Sequence, residues 1–126
     1  MEEVRGYNIV AEALRDEGID TIFFLMGGPI TPIVKACMEI GMNAVDARHE
    51  QAAAMMAHGW SRVTGKPGVC FSCSGPGTTN AATGIANAFV DSAPVVYVGG
   101  SSPLVRSGTY AFQDIDQLAA MKPITK

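Results

Sequence analysis

The chain has 126 residues, enough for one compact domain with a single modest core. It is 48% hydrophobic and 17% charged, with a formal net charge of −3 and its Lys and Arg scattered along the chain. That balance gives no electrostatic footing for nucleic acid or an anionic membrane, and no apolar run reaches the roughly 18 residues of a membrane-spanning helix.

The opening, Met1-Glu2-Glu3-Val4-Arg5, lacks the basic and then apolar regions of a secretory leader, so the cytoplasm is the expected compartment. Residues 6–17 predict an amphipathic helix with Ile9, Val10, Ala13 and Leu14 on one side and Gly18 as its stop. Residues 21–25 predict a short apolar strand, ended by Gly27-Gly28-Pro29. Thr31 as N-cap and Pro32 as first helical residue predict a helix to about Ile40, closed by Gly41. A strand over 42–46 and a helix over 50–63, ended by Gly65, come next. Then follow a strand over 68–73, a turn at Gly75-Pro76-Gly77, a small-residue helix over 78–89 and a strand over 94–98. A last short helix is expected from about Gln113 to Ala120. Strands that are apolar throughout, each followed by a helix, imply a parallel sheet covered on both faces. The expectation is one α/β domain over residues 1–126, a three-layer sandwich with no repeat and no internal linker.

In such a sheet, ligands bind beyond the carboxyl ends of the strands. That edge carries Gly27-Gly28-Pro29, Arg48-His49-Glu50, Ser74-Gly75-Pro76-Gly77 and Gly99-Gly100-Ser101-Ser102. Glu50 is the most informative residue among them. It opens an Ala- and Met-rich helix with no basic residue one turn on along its inner face, and a carboxylate pressed into an apolar wall needs a hydrogen-bond donor. The plainer reading is a solvated glutamate at a helix start, favoured by the helix dipole. The run Gly75-Pro76-Gly77-Thr78-Thr79-Asn80 imitates the dinucleotide fingerprint, but the third glycine is missing and Pro76 removes an N–H that a phosphate would use. There is no Walker lysine and no G-x-S-x-G elbow. His49 and His58 are not spaced as a helical metal pair, since Ala53 occupies the place one turn beyond His49. Cys70 and Cys73 form a C-x-x-C inside an apparent buried strand, where residues three apart face opposite sides; they read as core cysteines.

Six stretches in order carry a resemblance: Gly28-Pro29, Arg48-His49-Glu50-Gln51, Gly65-Lys66-Pro67-Gly68-Val69, Ser74-Gly75-Pro76-Gly77 through Asn80, Asp91-Ser92-Ala93-Pro94, and Ala111-Phe112-Gln113. Together they resemble the N-terminal, pyrimidine-binding domain of thiamine diphosphate enzymes, over nearly the whole chain. Gly28-Pro29-Ile30-Thr31, Pro67-Gly68-Val69-Cys70 and Gly99-Gly100-Ser101-Ser102 lean toward oxalyl-CoA decarboxylase and 2-hydroxyacyl-CoA lyase. Arg48-His49-Glu50-Gln51, Asp91-Ser92 and the stretch from Gly108 to Gln113 are equally at home in acetolactate synthase, although Leu25 and Met26 depart from it.

The resemblance implies that Glu50 hydrogen-bonds N1′ of the cofactor's aminopyrimidine and helps to remove the thiazolium C2 proton. It implies cofactor contacts from Gly27, Gly28, Pro29, Pro76 and Asn80, and a reaction-facing role for Gln113. Mg²⁺ and the diphosphate would be bound by a second domain bearing Gly-Asp-Gly, a motif this sequence lacks. The chain is then expected to be an excised domain or a small subunit, within a homo-oligomer or a hetero-oligomer that brings the diphosphate-binding domain. The small-residue runs Ala52-Ala53-Ala54-Met55-Met56-Ala57 and Ala81-Ala82 suit close packing across such an interface or in the domain's own core. The expected activity is a lyase or decarboxylase acting on a 2-oxo or 2-hydroxyacyl small molecule. The alternatives are an acetolactate synthase-like carboligase and a non-catalytic dimerisation or partner-binding module.

Overall fold

The computed structural model describes residues 4–126; the first three residues of the opening read above, Met1-Glu2-Glu3, lie outside the described residues. Nine regular elements alternate as expected: α1 (Gly6–Asp16), β1 (Thr21–Phe24), α2 (Thr31–Glu39), β2 (Asn43–Asp46), α3 (Glu50–Thr64), β3 (Gly68–Ser72), α4 (Pro76–Val90), β4 (Val95–Gly99) and α5 (Gln117–Met121). The four strands form one parallel sheet in the order β2-β1-β3-β4. From β1 the chain first steps outward to β2 through α2, then crosses back to β3 through α3. Right-handed crossovers in opposite directions put those helices on opposite faces, and the packing agrees. Ile22, Phe24, Val69 and Phe71 share one core with Ala11 of α1 and Val34, Ala36 and Cys37 of α2. Phe23 and Cys70, one register on, share the other with Ala53, Ala54, Ala57, Ala81 and Ile85 of α3 and α4. This is the three-layer α/β sandwich with a parallel sheet covered on both faces.

The central strands β1 and β3 are buried on both sides because their side chains alternate between two hydrophobic layers, while the edge strands β2 and β4 are partly exposed. Fully burying a side chain such as Ile22 or Phe71 contributes on the order of 2 kcal/mol. The small residues of α3 and α4 let the two helices approach closely. A Cβ on Gly84 would lie 2.5 Å from the Ala54 methyl, so these Ala and Gly faces are packed within the domain's own core. Met56, by contrast, is exposed. Away from the strand ends, Asp91 ties the same two helices, accepting from Arg62 at 3.0 Å, while Asn87 meets His58 at 3.2 Å. Among the described residues, no helix is long and apolar enough to cross a membrane.

Several local expectations are corrected. The inward line of α1 runs through Ala11 and Leu14, whereas Ile9, Val10 and Ala13 are exposed; residues three apart select the face, and the most hydrophobic ones lie off it. Thr31 is not an N-cap. A 3₁₀ turn, Gly28–Ile30, runs directly into α2, and the Thr31 hydroxyl bonds back to the Gly27 carbonyl at 3.0 Å. Pro76 is the first residue of α4 rather than part of a turn, since its ring suits a position where the N–H has no helical partner. The last helix begins at Gln117, not Gln113. Asp116 caps it by accepting the Ala119 N–H at 3.0 Å, and Gln113 has a φ of +62°, which no helix tolerates.

Candidate functional site

With β1 flanked by β2 on one side and β3 on the other, the chain's direction of winding reverses between β1 and β3. In open α/β sheets that reversal leaves a crevice at the carboxyl edge. A cleft of about 540 Å³ occupies it, lined by Met26–Pro29 after β1, Glu50 after β2, Cys73 and Ser74 after β3, Ser101–Pro103 and Arg106 after β4, and Ala111–Gln113. A larger groove of about 1060 Å³ runs between α4, β4 and the C-terminal residues, but no Asp, Glu, His or Cys lines it. The chemistry is gathered in the smaller cleft.

Glu50 reaches the cleft because β2 ends at Asp46 and His49 turns the chain into α3. His49 is extended (φ −159°, ψ 144°) and its Nδ1 accepts the Gln51 N–H at 3.1 Å, capping the helix and fixing Glu50 as its first residue. The Glu50 side chain is only 8% exposed. Asn80, in the second turn of α4, donates from Nδ2 to Oε2 at 3.0 Å. Oε1 has no hydrogen-bond partner among the described residues, and it lies 3.3 Å from the place a Cβ would take on Gly77. Glycine there makes room for the acid. Arg48, two residues before Glu50, pairs instead with Asp46 at 3.2 Å in an exposed contact.

The opposite wall is backbone. A Cβ on Gly27 would lie 2.7 Å from Cys73 Cβ and Sγ, so the two loops touch there as closely as they can. One on Gly28 meets nothing within 4 Å, which leaves open room beside Pro29. Gln113 closes the site from the C-terminal side: its Oε1 accepts from Cys73 Sγ at 3.2 Å and Ser74 Oγ at 3.3 Å. Behind this wall the Tyr97 hydroxyl meets Ser72 Oγ at 2.6 Å and Thr78 Oγ1 at 3.1 Å. Burial pushes the Tyr97 phenol above its ordinary range, against the opposing pull of those two hydrogen bonds.

Over residues 4–120 the chain matches the family described as thiamine pyrophosphate enzyme, N-terminal TPP binding domain. The chain belongs to this family. As a member of the thiamine pyrophosphate-binding domains, it is 46% identical over 125 residues to the acetolactate synthase isozyme 2 large subunit of Escherichia coli strain K12, covering 98% of this chain and 22% of that protein. It is 44% identical to the probable acetolactate synthase large subunit of Methanocaldococcus jannaschii (98% and 21% covered) and 40% identical to 2-hydroxyacyl-CoA lyase 2 of Danio rerio (96% and 20%). The chain therefore spans about a fifth of the length of these relatives.

The cleft of this thiamine pyrophosphate-binding domain holds a buried carboxyl group with one unpaired oxygen, and it has open room beside the side-chain-free backbone of Gly28. Of the residues expected at the site, the fold gathers Gly27, Gly28, Pro29, Glu50 and Gln113 around one cleft. Asn80 stands behind Glu50 as its hydrogen-bond donor. Pro76 is outside: it is exposed at the start of α4, with Gly77 rather than its ring nearest the acid. Cys73 is also not a core cysteine. It follows the end of β3 and faces Gln113 in the cleft, whereas Cys70 is fully buried and its thiol is pushed up to about 12, by burial first and by the Glu50 charge second. Sequence reasoning placed Ser74 on this edge but missed Cys73, Arg106 and Phe112 as cleft residues; of these, only Phe112, inside the run Ala111-Phe112-Gln113, carried a signal.

Proposed function

We propose that this domain is the cofactor-activating half of a thiamine diphosphate-dependent lyase or decarboxylase acting on a 2-oxo or 2-hydroxyacyl substrate, with Glu50 as its proton-handling residue. The observation that carries this reading is the buried Glu50 carboxyl group with Asn80 on Oε2 and Oε1 unpaired. When bound, thiamine diphosphate supplies the carbanion chemistry. Asn80 holds the carboxyl group in one orientation and leaves Oε1 to exchange a proton with the aminopyrimidine ring nitrogen. Gly27, Gly28 and Pro29 form the wall for the flat ring: Gly27 lets the Cys73 loop close against it, and Gly28 has no side chain to keep the backbone from the ring. Gln113, its carboxamide oxygen held by Cys73 and Ser74, presents its remaining NH₂ donors to the reacting groups.

The diphosphate and Mg²⁺ are assigned to a second domain, brought by the same polypeptide or by another subunit. Exposed Phe112, which lines the cleft, and exposed Leu104, Val105 and Tyr110, which adjoin its lining residues in sequence, offer apolar surface to such a partner. A second reading, an acetolactate synthase-like carboligase, is favoured by the names of the relatives at 46% and 44% identity.

The test is turnover of the enzyme assembled with its diphosphate-binding domain, on 2-hydroxyacyl-CoA or oxalyl-CoA and separately on pyruvate. Glu50→Gln should lower turnover about 10²- to 10⁴-fold on whichever substrate is used. Condensation of pyruvate alone would move the assignment to the carboligase. Turnover of neither substrate class would make the domain a binding module.

A further inference from the structure

No residue from 101 to 120 is buried, yet this stretch delivers Gln113 to the cleft. Leu104, Val105, Tyr110, Phe112 and Leu118 are all more than four-fifths exposed, so apolar burial does not hold it there. What holds it is polar. We propose that Gln117 is a positioning residue that latches the C-terminal stretch onto the cleft and thereby sets Gln113.

The Gln117 carboxamide uses both of its ends. Oε1 accepts the backbone N–H of Gly75 and the Thr78 hydroxyl, each at 3.1 Å, and Nε2 donates to the Gly100 carbonyl at 2.7 Å. The partners fix which end is oxygen, because an N–H and a carbonyl cannot trade roles. One side chain thus joins the loop after β3, the start of α4 and the end of β4. Both contacted loops bear on the cleft. Gly75, at φ +56°, packs so closely on the Gln113 main chain that a Cβ would lie 2.5 Å from its carbonyl oxygen. A Cβ on Gly100 would lie 2.7 Å from Cβ of Pro29. Gln113 itself holds φ +62°, a conformation that a residue with a side chain keeps only where its surroundings impose it. Gln117 imposes it through Gly75, while Cys73 and Ser74 take the Gln113 carboxamide oxygen.

For turnover, this inference rests on the reading of Gln113 given above; for structure, it does not. Cys73 is a natural probe, since it lies under Gln113, while Cys37 and Cys70 are fully buried controls. Gln117→Met keeps chain length and removes all three hydrogen bonds. In the assembled enzyme, maleimide labelling of Cys73, followed by peptide mass spectrometry, should accelerate about tenfold or more in Gln117→Met, as it should in Gln113→Ala. Labelling of Cys37 and Cys70 should stay at the parent level.

Turnover should fall as far as in Gln113→Ala, with no further fall in the double variant, while exchange of the cofactor's C2 proton stays at the parent rate. An unchanged Cys73 rate would overturn the latch. So would a parallel rise at all three cysteines, which would mean general loosening. Cys73 unmasked with turnover intact would confirm the latch and remove the role given to Gln113.

Discussion

Residues 4–100 and residues 101–126 are held by different forces. In the first region the central strands β1 and β3 are packed between two hydrophobic layers, and the path of the chain follows from which residues can be buried. In the second, only Met121 is buried, and the cleft-facing stretch is placed by side-chain amides: Gln113 to Cys73 and Ser74, Gln117 to Gly75, Thr78 and Gly100. The body supplies a rigid carboxylate; the C-terminal stretch supplies an adjustable wall. A binding cleft gains from having both, because local opening is cheapest where little apolar surface is buried.

Glycine substitutions separate the two regions most sharply. Gly68 opens β3, and a Cβ there would lie 2.0 Å from the Ala57 carbonyl oxygen, where backbone of α3 cannot yield. Gly68→Ala should cost about 3 kcal/mol or more, read as a large drop in the urea midpoint or as failure to fold. Near-parent stability would mean that α3 and the sheet are not packed as rigidly as described. Gly75→Ala strikes the junction instead, adding a side chain at positive φ against the Gln113 carbonyl. Its cost should be about 1–3 kcal/mol. Limited proteolysis should show new cleavage between residues 101 and 116, with the body intact. Cleavage spread evenly through the body would contradict the division into two regions.

How much of this was legible beforehand follows the same division. The strands, the helices and the placement of Glu50 could be read because a run such as Thr21-Ile22-Phe23-Phe24 has one plausible fate and a strand-to-helix turn has one exposed edge. The buried line of α1 was misread because Ile9 and Val10 are more hydrophobic than Ala11, yet geometry, not hydrophobicity, chose the face. The partnership of Asn80 with Glu50 joins residues thirty apart and depends on how closely α4 lies against α3, which periodicity does not report. Gln117 gave no local signal at all. A lone amide in an exposed stretch acquires a role only when three distant backbone and side-chain groups converge on it.

The smallest expected effect lies within the body and tests how dry its core is. Burial pushes the Cys70 thiol up to about 12, with the Glu50 charge adding to it. A thiol pKa raised on folding stabilises fully below its unfolded value, near 8.5, and that contribution is lost as the pH rises toward the folded value. Thermal melts should therefore fall in alkali between about pH 9 and 12, and Cys70→Ala should flatten part of that fall. An identical alkaline slope in the variant would mean that water reaches Cys70.

Exchange of the cofactor's C2 proton for deuterium is the most direct test of the Glu50 assignment, because it reads cofactor activation without a substrate. In the enzyme assembled with its diphosphate-binding domain, Glu50→Gln keeps the size of the side chain and an acceptor for Asn80 but cannot transfer a proton. Exchange should slow by about 10²- to 10⁴-fold. Gln51→Ala, on an exposed residue about 100° further round α3, should exchange near the parent rate. Parent-rate exchange in Glu50→Gln would contradict the account, leaving Glu50 as an ordinary helix-start carboxylate in a buried setting.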